Sequence, residues 1–556
     1  MSKASKVNEL KTILEHFDPE SIQDLESARV SLRLLLNLVE EVTRENQALR
    51  QEVQSLRDEV NRLKGEQGKP DIKPPKGERP DHSSDKERHE PQKRSRSRKL
   101  NKIVVHREQK LEVDKSQLPA DAESKGYVEV VVQDIEIKPN NTRFLKEKYY
   151  SASQGKTYLA PMPPGYDGEF GPGVRSLVIS LYYGSGMTEP KIVEFLSDFD
   201  ISISAGQVSN FLVKGQESWH EEKAQVVAAG LASTEWQHTD DTGTRVNGEN
   251  QYCHIFCNPY YTAYFTRPHK NRLTVIHLLQ GTETVQFLLN PNALAWMETF
   301  KTPQWALKVA SQWPQEPSLT QARLEEWIAR DLDKLNDQQQ ARILESAALA
   351  AYYSQQTPTH PVIPILLSDD APQFRDITPY HALCWVHEGR HYKKLMPFLP
   401  YHQLLLDNFQ TDFWGFYHQL LAYRSDPSPP EAQRLHDKFD DLFSTTTGYQ
   451  ALDQRIAKTK QKADKLLLVL DFPDLPLHNN PAELGARQRV RKRHISFGPR
   501  TQDGVQACDT FMTLAETAKK LGVSFFAYVY DRVSGASLMP SLAQLIQNQI
   551  PAQASS

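Results

Sequence analysis

The most regular apolar pattern lies near the start of the chain. Leu35, Val42, Leu49, Leu56 and Leu63 recur every seven residues, and Leu32, Val39, Val53 and Val60 fill the interleaved positions. A 3.5-residue period kept over about four heptads predicts a helix whose apolar seam is covered by a second helix. Asn46 falls in the interleaved series. β-Branched residues with one asparagine at that position, and leucine at the other, predict a parallel two-stranded coiled coil in residues 1–66, with Asn46 fixing register. Apolar residues then almost vanish. Residues 68–99 read "GKPDIKPPKGERPDHSSDKERHEPQKRSRSRK", which predicts a disordered basic linker spanning about 67–125.

Alternation returns near Tyr127. "YVEVVVQDIEI" and "TRFLKEKYYSA" about the turn "KPNN" predict a β-ribbon within 126–165. A helical region is expected over 166–222. In it, Thr188 can cap a helix carrying Ile192, Val193 and Phe195, and Ser204 can cap another carrying Val208, Phe211 and Leu212. Two short amphipathic helices about a tight turn predict a helix-turn-helix-like DNA-binding unit, although the same pair serves equally well as ordinary packing.

Three acidic stations follow. "TEWQHTDD" reads as a strand ending in Asp240 and Asp241, with strands at 251–257 and 260–266 behind it. "VIPILLSDD" is an apolar strand ending in Asp369 and Asp370, followed by the short strand "ALCWV" and a helix through Arg390. "HNNPAELGARQRVRKRH" opens a basic helix with Glu483 in its first turn. Asn480 as N-cap and Glu483 three residues on make a capping box, the structural account of that stretch. The other account makes Glu483 a metal ligand. Acid after a first strand, antiparallel neighbours, acid after a buried fourth strand and acid on a late helix form the layout of an RNase H-like core. Clustered carboxylates of this kind hold two hard divalent cations about 3.5–4 Å apart. The expected fold is therefore multidomain α+β: coiled coil, helix-turn-helix-like region, and a mixed α/β core in two parts (223–400 and 471–530). Helical insertions at about 290–355 and 401–470 interrupt it, and a tail follows at 531–556.

Composition adds limits. At 556 residues and a net charge of −4, any basic feature is local. One such run is 93–102, where Arg94, Arg96, Arg98 and Lys99 stand without an acid between them and could contact phosphates. The four cysteines form no CxxC pair, and Cys253 and Cys257 share a strand face suited to the core, so neither disulfides nor a structural zinc is expected. No apolar run is long enough to span a membrane, and no signal peptide is legible, which predicts a soluble protein of a reducing compartment.

The motifs resemble those of bacterial DDE transposases of the insertion-sequence-sixty-six group, the TnpC proteins. "HTDDTG" is similar to the group's first motif and places Asp240 as catalytic, with Asp241 where the group usually has glutamate. "SDDAPQF" resembles the second motif and favours Asp369 over Asp370. "CWVHEGR" resembles the group's Cys-x-x-His element, which assigns Cys384, His387 and Arg390 to ordering the core. "NNPAELGAR" resembles the last motif and makes Glu483 the third acid. The resemblance implies two Mg²⁺ or Mn²⁺ ions per site, and cleavage and transfer of double-stranded DNA at inverted-repeat ends into a target. It also implies a homodimer or higher oligomer with room for accessory proteins, in a bacterial cytoplasm at the nucleoid. Arg487, Arg489, Arg491, Lys492 and Arg493 would hold DNA backbone. The chain departs from the group in two places. No cysteine lies at 125–165, where the group has a zinc segment, and Leu484 replaces an arginine. A non-catalytic regulator and a simple nuclease on the same fold are the rival functions.

Overall fold

The computed structural model describes residues 24–63, 103–114, 126–166, 168–316, 319–354 and 361–550, with a few isolated positions between 115 and 125. The basic run with Arg94, Arg96, Arg98 and Lys99 lies outside them, as does the Leu63 side chain. No described helix is long and apolar enough to cross a membrane.

Helix α1 (Leu25–Leu63) is a single 39-residue rod. Asp24 starts it by accepting the Ser27 amide at 2.7 Å. The ribbon is shorter and later than expected: an antiparallel hairpin of β1 (Lys148–Ser151) and β2 (Lys156–Leu159), while residues 127–147 form no strand. Val128, Val130 and Val132 stand exposed there. An alternating apolar run becomes a strand only where a neighbour supplies both a hydrogen-bonding edge and an apolar face, and among the described residues neither is present here.

Helix α2 (Pro172–Ile179) runs into a π-helical turn at Ser180–Gly184. Helices α3 (Glu189–Ser197), α4 (Ala205–Val213) and α5 (Glu217–Ala232) follow. Ser204 caps α4 as expected, accepting the Gln207 amide at 3.1 Å. Thr188 occupies the N-cap position of α3 but makes no side-chain cap. Ile192, Leu196, Val208 and Leu212 are buried between the two helices and the body.

The central sheet contains β3 (Trp236–Val246), β4 (Glu249–Cys257), β5 (Thr262–Arg267), β6 (Ile365–Ser368) and β7 (Tyr380–Leu383), ordered β5-β4-β3-β6-β7. β4 pairs antiparallel with both β3 and β5, whereas β6 is parallel to both β3 and β7. Every residue of β6 is buried, which is why this strand is continuously apolar before its acids.

Among the described residues, five helices separate β5 from β6: α6 (Arg272–Gln280), α7 (Pro291–Thr299), α8 (Gln304–Ala310), α9 (Gln321–Asp331) and α10 (Asp337–Ser354). After β7 come α11 (Trp385–Lys393), α12 (Pro400–Ser425), α13 (Pro429–Phe443), α14 (Gln450–Lys460) and the short α15 (Ala463–Leu466). This second group has its own core, where Phe413, Phe416, Phe439 and Phe443 surround Trp385.

The chain ends with α16 (Asn480–Ser496), α17 (Gln502–Lys520), α18 (Phe525–Val533) and α19 (Leu542–Gln549). Residues 531–550 are thus no loose tail. Ser541 and Gln544 form a capping box, and Leu542 and Ile546 are fully buried. Helix α17 closes the outer edge of β5. Asp509, Thr513 and Thr517 accept the amides of Thr266, Tyr264 and Thr262 at 2.6, 3.1 and 3.3 Å. Four helical residues rise about 6 Å and two strand residues about 6.7 Å, so helix and strand stay in step across three contacts.

Candidate active site

The sheet register brings two acids together. His238 pairs with Leu367 across the parallel β3–β6 ladder. Two residues further along each strand stand Asp240 and Asp369, at one level and on one face. The third acid arrives on α16, which packs against β3 and β4. Gly485 permits the approach, since a Cβ there would lie 3.0 Å from Ile255 Cγ2, and Ile255 is the register partner of Asp240. Glu483 is therefore delivered to the face that Asp240 occupies.

Their neighbours are otherwise engaged. Asp241 takes the opposite face of β3, where Gln373 Nε2 donates to it at 2.6 Å and Lys270 lies 3.6 Å away. Asp370 pairs with Lys462 at 2.8 Å and Arg375 at 2.9 Å. Burial pushes its carboxyl up, but these two cations prevail and hold it below the ordinary value. Among the described residues neither Asp240 nor Asp369 has a salt bridge. Asp369 Oδ1 accepts the Ala371 amide at 3.1 Å, a turn that aims the carboxylate off the strand end.

Burial pushes the Asp240 carboxyl up to about 7. The Asp241 amide, donating at 2.8 Å, works against that rise, while the charges of Asp369, Asp241 and Glu483 add to it. A carboxylate so placed is short of positive charge, which is the condition a divalent cation relieves. The donor set of Asp240, Asp369 and Glu483 is all hard oxygen and fits Mg²⁺ or Mn²⁺.

Glu483 does not cap its own helix. The N-cap is Asn479 rather than Asn480, and no capping box forms. The Glu483 carboxylate instead meets Arg390 at 3.2 Å and lies 3.6 Å from His387 Nε2. Cys384, His387 and Glu483 have ligand atoms within 4.8 Å of one another, the one group of such compactness among the described residues. Cys384 is already engaged: its buried sulfur accepts the Asn479 amide at 3.2 Å, and burial pushes its thiol up to about 12. Burial also lowers the His387 pKa, against the pull of Glu483. Cys384, His387 and Arg390 thus tie the start of α11 to the start of α16.

Sequence reasoning missed Asn479, the residue that most directly positions this site. Its Nδ2 donates to the Thr239 carbonyl at 2.8 Å, beside Asp240, and its Oδ1 faces His238 Nδ1 at 3.0 Å. Because Oδ1 can only accept, His238 is the Nδ1–H tautomer. Burial pushes its pKa down to about 3. The paired asparagines were visible in sequence, but their separate roles were not.

The basic helix divides. Arg487 and Arg491 are exposed on the same side as Glu483. Arg493 is half-buried and donates to the Gly243 carbonyl. Arg489 does not face solvent as expected: it is 2% exposed and bonded to Cys508 and Thr266, with Asp509 at 4.0 Å. Lys492 is likewise turned inward, donating to the Tyr182 carbonyl at 2.7 Å over the Tyr182 ring. Burial lowers its pKa to about 8. On a helix packed against a sheet, every third or fourth residue faces the body whatever its charge.

The sequence matches the family described as "Transposase IS66 family" over residues 167–288 and 365–507. Asp240 falls in the first segment, Asp369 and Glu483 in the second. An uncharacterized protein, y4jO, of Sinorhizobium fredii is 34% identical over 323 residues, 57% of this chain and 98% of that protein. The chain belongs to the IS66 transposase family. The gap between the matched segments, 289–364, contains α7 to α10, so the match follows the sheet and its flanking helices and omits most of the first insertion.

Proposed function

We propose that this IS66-family chain is a DDE transposase that binds the inverted-repeat ends of an insertion sequence, cleaves one strand and joins the freed 3′-hydroxyl to target DNA. The observation that carries the reading is Asp240, half-buried, raised to about 7, with the charges of Asp369 and Glu483 acting on it and, among the described residues, no cation paired to it. The strand order β5-β4-β3-β6-β7, with three antiparallel strands followed by two parallel ones, supports an RNase H-like core. Asp240, Asp369 and Glu483 would hold two Mg²⁺ or Mn²⁺ ions. Divalent ions held there would make water a stronger nucleophile and would stabilise charge on the leaving oxygen.

The chain's own residues do the rest. Asn479 and Cys384 fix α16 against β3, so the acids keep their spacing. Lys462 and Arg375 neutralise Asp370 and Lys270 faces Asp241, so that charge at the site comes chiefly from the three acids. Arg487 and Arg491 offer phosphate contacts one and two turns beyond Glu483, with Arg493 beside them. The exposed heptad seam of α1 supports a dimer, and the basic residues Arg94, Arg96, Arg98 and Lys99 remain proposed DNA contacts, as do α3 and α4.

The test is cleavage and joining of labelled inverted-repeat DNA with magnesium by alanine variants. Asp240→Ala, Asp369→Ala and Glu483→Ala should each lose several orders of magnitude, while Asp241→Ala and Asp370→Ala keep measurable activity. Cleavage without joining by the unaltered protein would make it a nuclease, and DNA binding without cleavage a regulator.

A further inference from the structure

Helix α1 turns its polar side, not its apolar side, toward the body. Glu40 is 2% exposed on an otherwise largely exposed helix. Its carboxylate accepts the amides of Phe398 and Leu399 at 2.8 and 3.1 Å and meets His402 Nδ1 at 3.2 Å, so it sits over the start of α12. One turn earlier, Asn37 donates to the Gly448 carbonyl at 2.8 Å and accepts the Gln450 amide at 2.9 Å. One turn later, Arg44 reaches the Tyr449 hydroxyl at 3.4 Å, and Tyr449 stacks on His402 at 4.3 Å.

In the heptad these contacts occupy the outer positions. With Leu32, Val39 and Asn46 at a and Leu35, Val42 and Leu49 at d, Glu40 is b, and Asn37 and Arg44 are f. Those positions lie on the side of the helix away from the a/d seam, f almost directly opposite it. Along the seam, Leu32, Val39, Val42, Leu49, Val53 and Leu56 are all exposed.

We propose that the Asn37–Glu40–Arg44 face is a joint fastening α1 to the second helical insertion, so that a second copy of this chain, paired along the seam, is held in a set orientation to the insertion. The proposal rests on the dimer reading above. A second copy is the occupant that fits the seam: the a/d repeat is complementary to itself, and Asn46 finds its hydrogen-bonding partner in another Asn46 at the same level. A buried carboxylate held by two backbone amides and an imidazole resists displacement, since removing its partners strands a charge. The insertion also reaches the candidate site. Arg455 and Thr459 of α14 and the nearby Lys462 hold Glu388 on α11, and Lys462 also holds Asp370. Joint and site therefore belong to one packed body, and the dimer axis is set relative to the acids.

The experiment uses the full-length protein, comparing the unaltered chain, Glu40→Ala, and Leu49→Glu combined with Val53→Glu. Sedimentation velocity reads the seam; hydrogen exchange of a peptide spanning Phe398 and Leu399 reads the joint. Glu40→Ala should remain dimeric while those amides exchange at least tenfold faster. The seam variant should sediment as a single copy with protection intact. An unaltered exchange rate in Glu40→Ala, or its dissociation to single copies, overturns the joint. A single-copy unaltered chain overturns the dimer reading instead, whatever the exchange shows. As an independent check on folding, Asn37→Cys with Gln450→Cys should oxidise to a disulfide within one chain, the four native cysteines being buried. A cross-link between chains would place the contact in trans and also overturn the joint.

Discussion

The side-chain amide of Asn479 donates to the carbonyl of Thr239 at 2.8 Å, linking the N-cap of the Glu483 helix to the residue before Asp240. Two acids far apart in sequence are thereby spaced by one side chain. Asn479→Ala leaves a buried carbonyl and a buried imidazole without their partner and should cost about 1–3 kcal/mol in denaturant unfolding. Strand cleavage should fall by about tenfold or more through misplacement of Glu483. Unchanged stability and cleavage would deny the linkage.

Asp240 gives a pH signature. Its pKa is raised from the ordinary 3.8 to about 7, so between those values the folded protein binds a proton the unfolded chain has lost. Stability attributable to this group is present below about pH 4 and declines as pH rises toward 7. Asp240→Asn should match the unaltered protein near pH 4 and exceed it above pH 7, by on the order of 2 kcal/mol once partial exposure is allowed for. Thermal melts without divalent ions, across that range, check the sign. Adding Mg²⁺ should narrow the gap by stabilising the unaltered protein.

Arg390 pairs with Glu483 at 3.2 Å and would compete with a divalent cation for that carboxylate. In Arg390→Ala the carboxylate is released, so Mn²⁺ titration followed by calorimetry should show tighter binding, about threefold to tenfold. Cleavage at saturating metal should nonetheless fall, because α11 no longer fixes the start of α16.

The basic helix separates recognition from stability. Arg487→Ala and Arg491→Ala should each lower DNA affinity and reduce the salt slope by about one, with little effect on melting. Arg489→Ala should do the reverse, destabilising by about 3–5 kcal/mol because Asp509 and the Cys508 sulfur lose a buried partner. Filter binding at several salt concentrations, paired with thermal melts, distinguishes them.

Part of the site was legible because acids stand out against apolar strands and their order along the chain constrains the sheet. β3 does not, however, end at Asp240 and Asp241 as expected: its pairing with β4 carries it on to Val246. Asp369 and Glu483 lie near enough for their charges to act on the Asp240 carboxyl, and helices occupy both stretches between the strands and the Glu483 helix. What escaped was whatever depends on which way a side chain faces after packing. Arg489 and Lys492 read as solvent cations until the sheet lies beneath them. Val128, Val130 and Val132 read as a strand, but no edge is there to receive them. The capping box weighed for Asn480 and Glu483 does not form, and Arg390, distant in sequence, meets the Glu483 carboxylate instead. Leu542 and Ile546 belong to a helix too short to stand out by periodicity, and it forms because α5 offers a surface for it.

The three side chains of α17 that occupy the β5 edge carry a consequence for synthesis. β3 to β5 leave the ribosome as a ready meander, long before Asp509, Thr513 and Thr517 are made. Until then the amides of Thr262, Tyr264 and Thr266 are open to any passing strand, and bare edges of this kind seed aggregation. A message truncated between β5 and α17 therefore yields a chain that both lacks Glu483 or its support and keeps an adhesive border. Such fragments are destined for inclusion bodies or proteases rather than for interference with the complete protein.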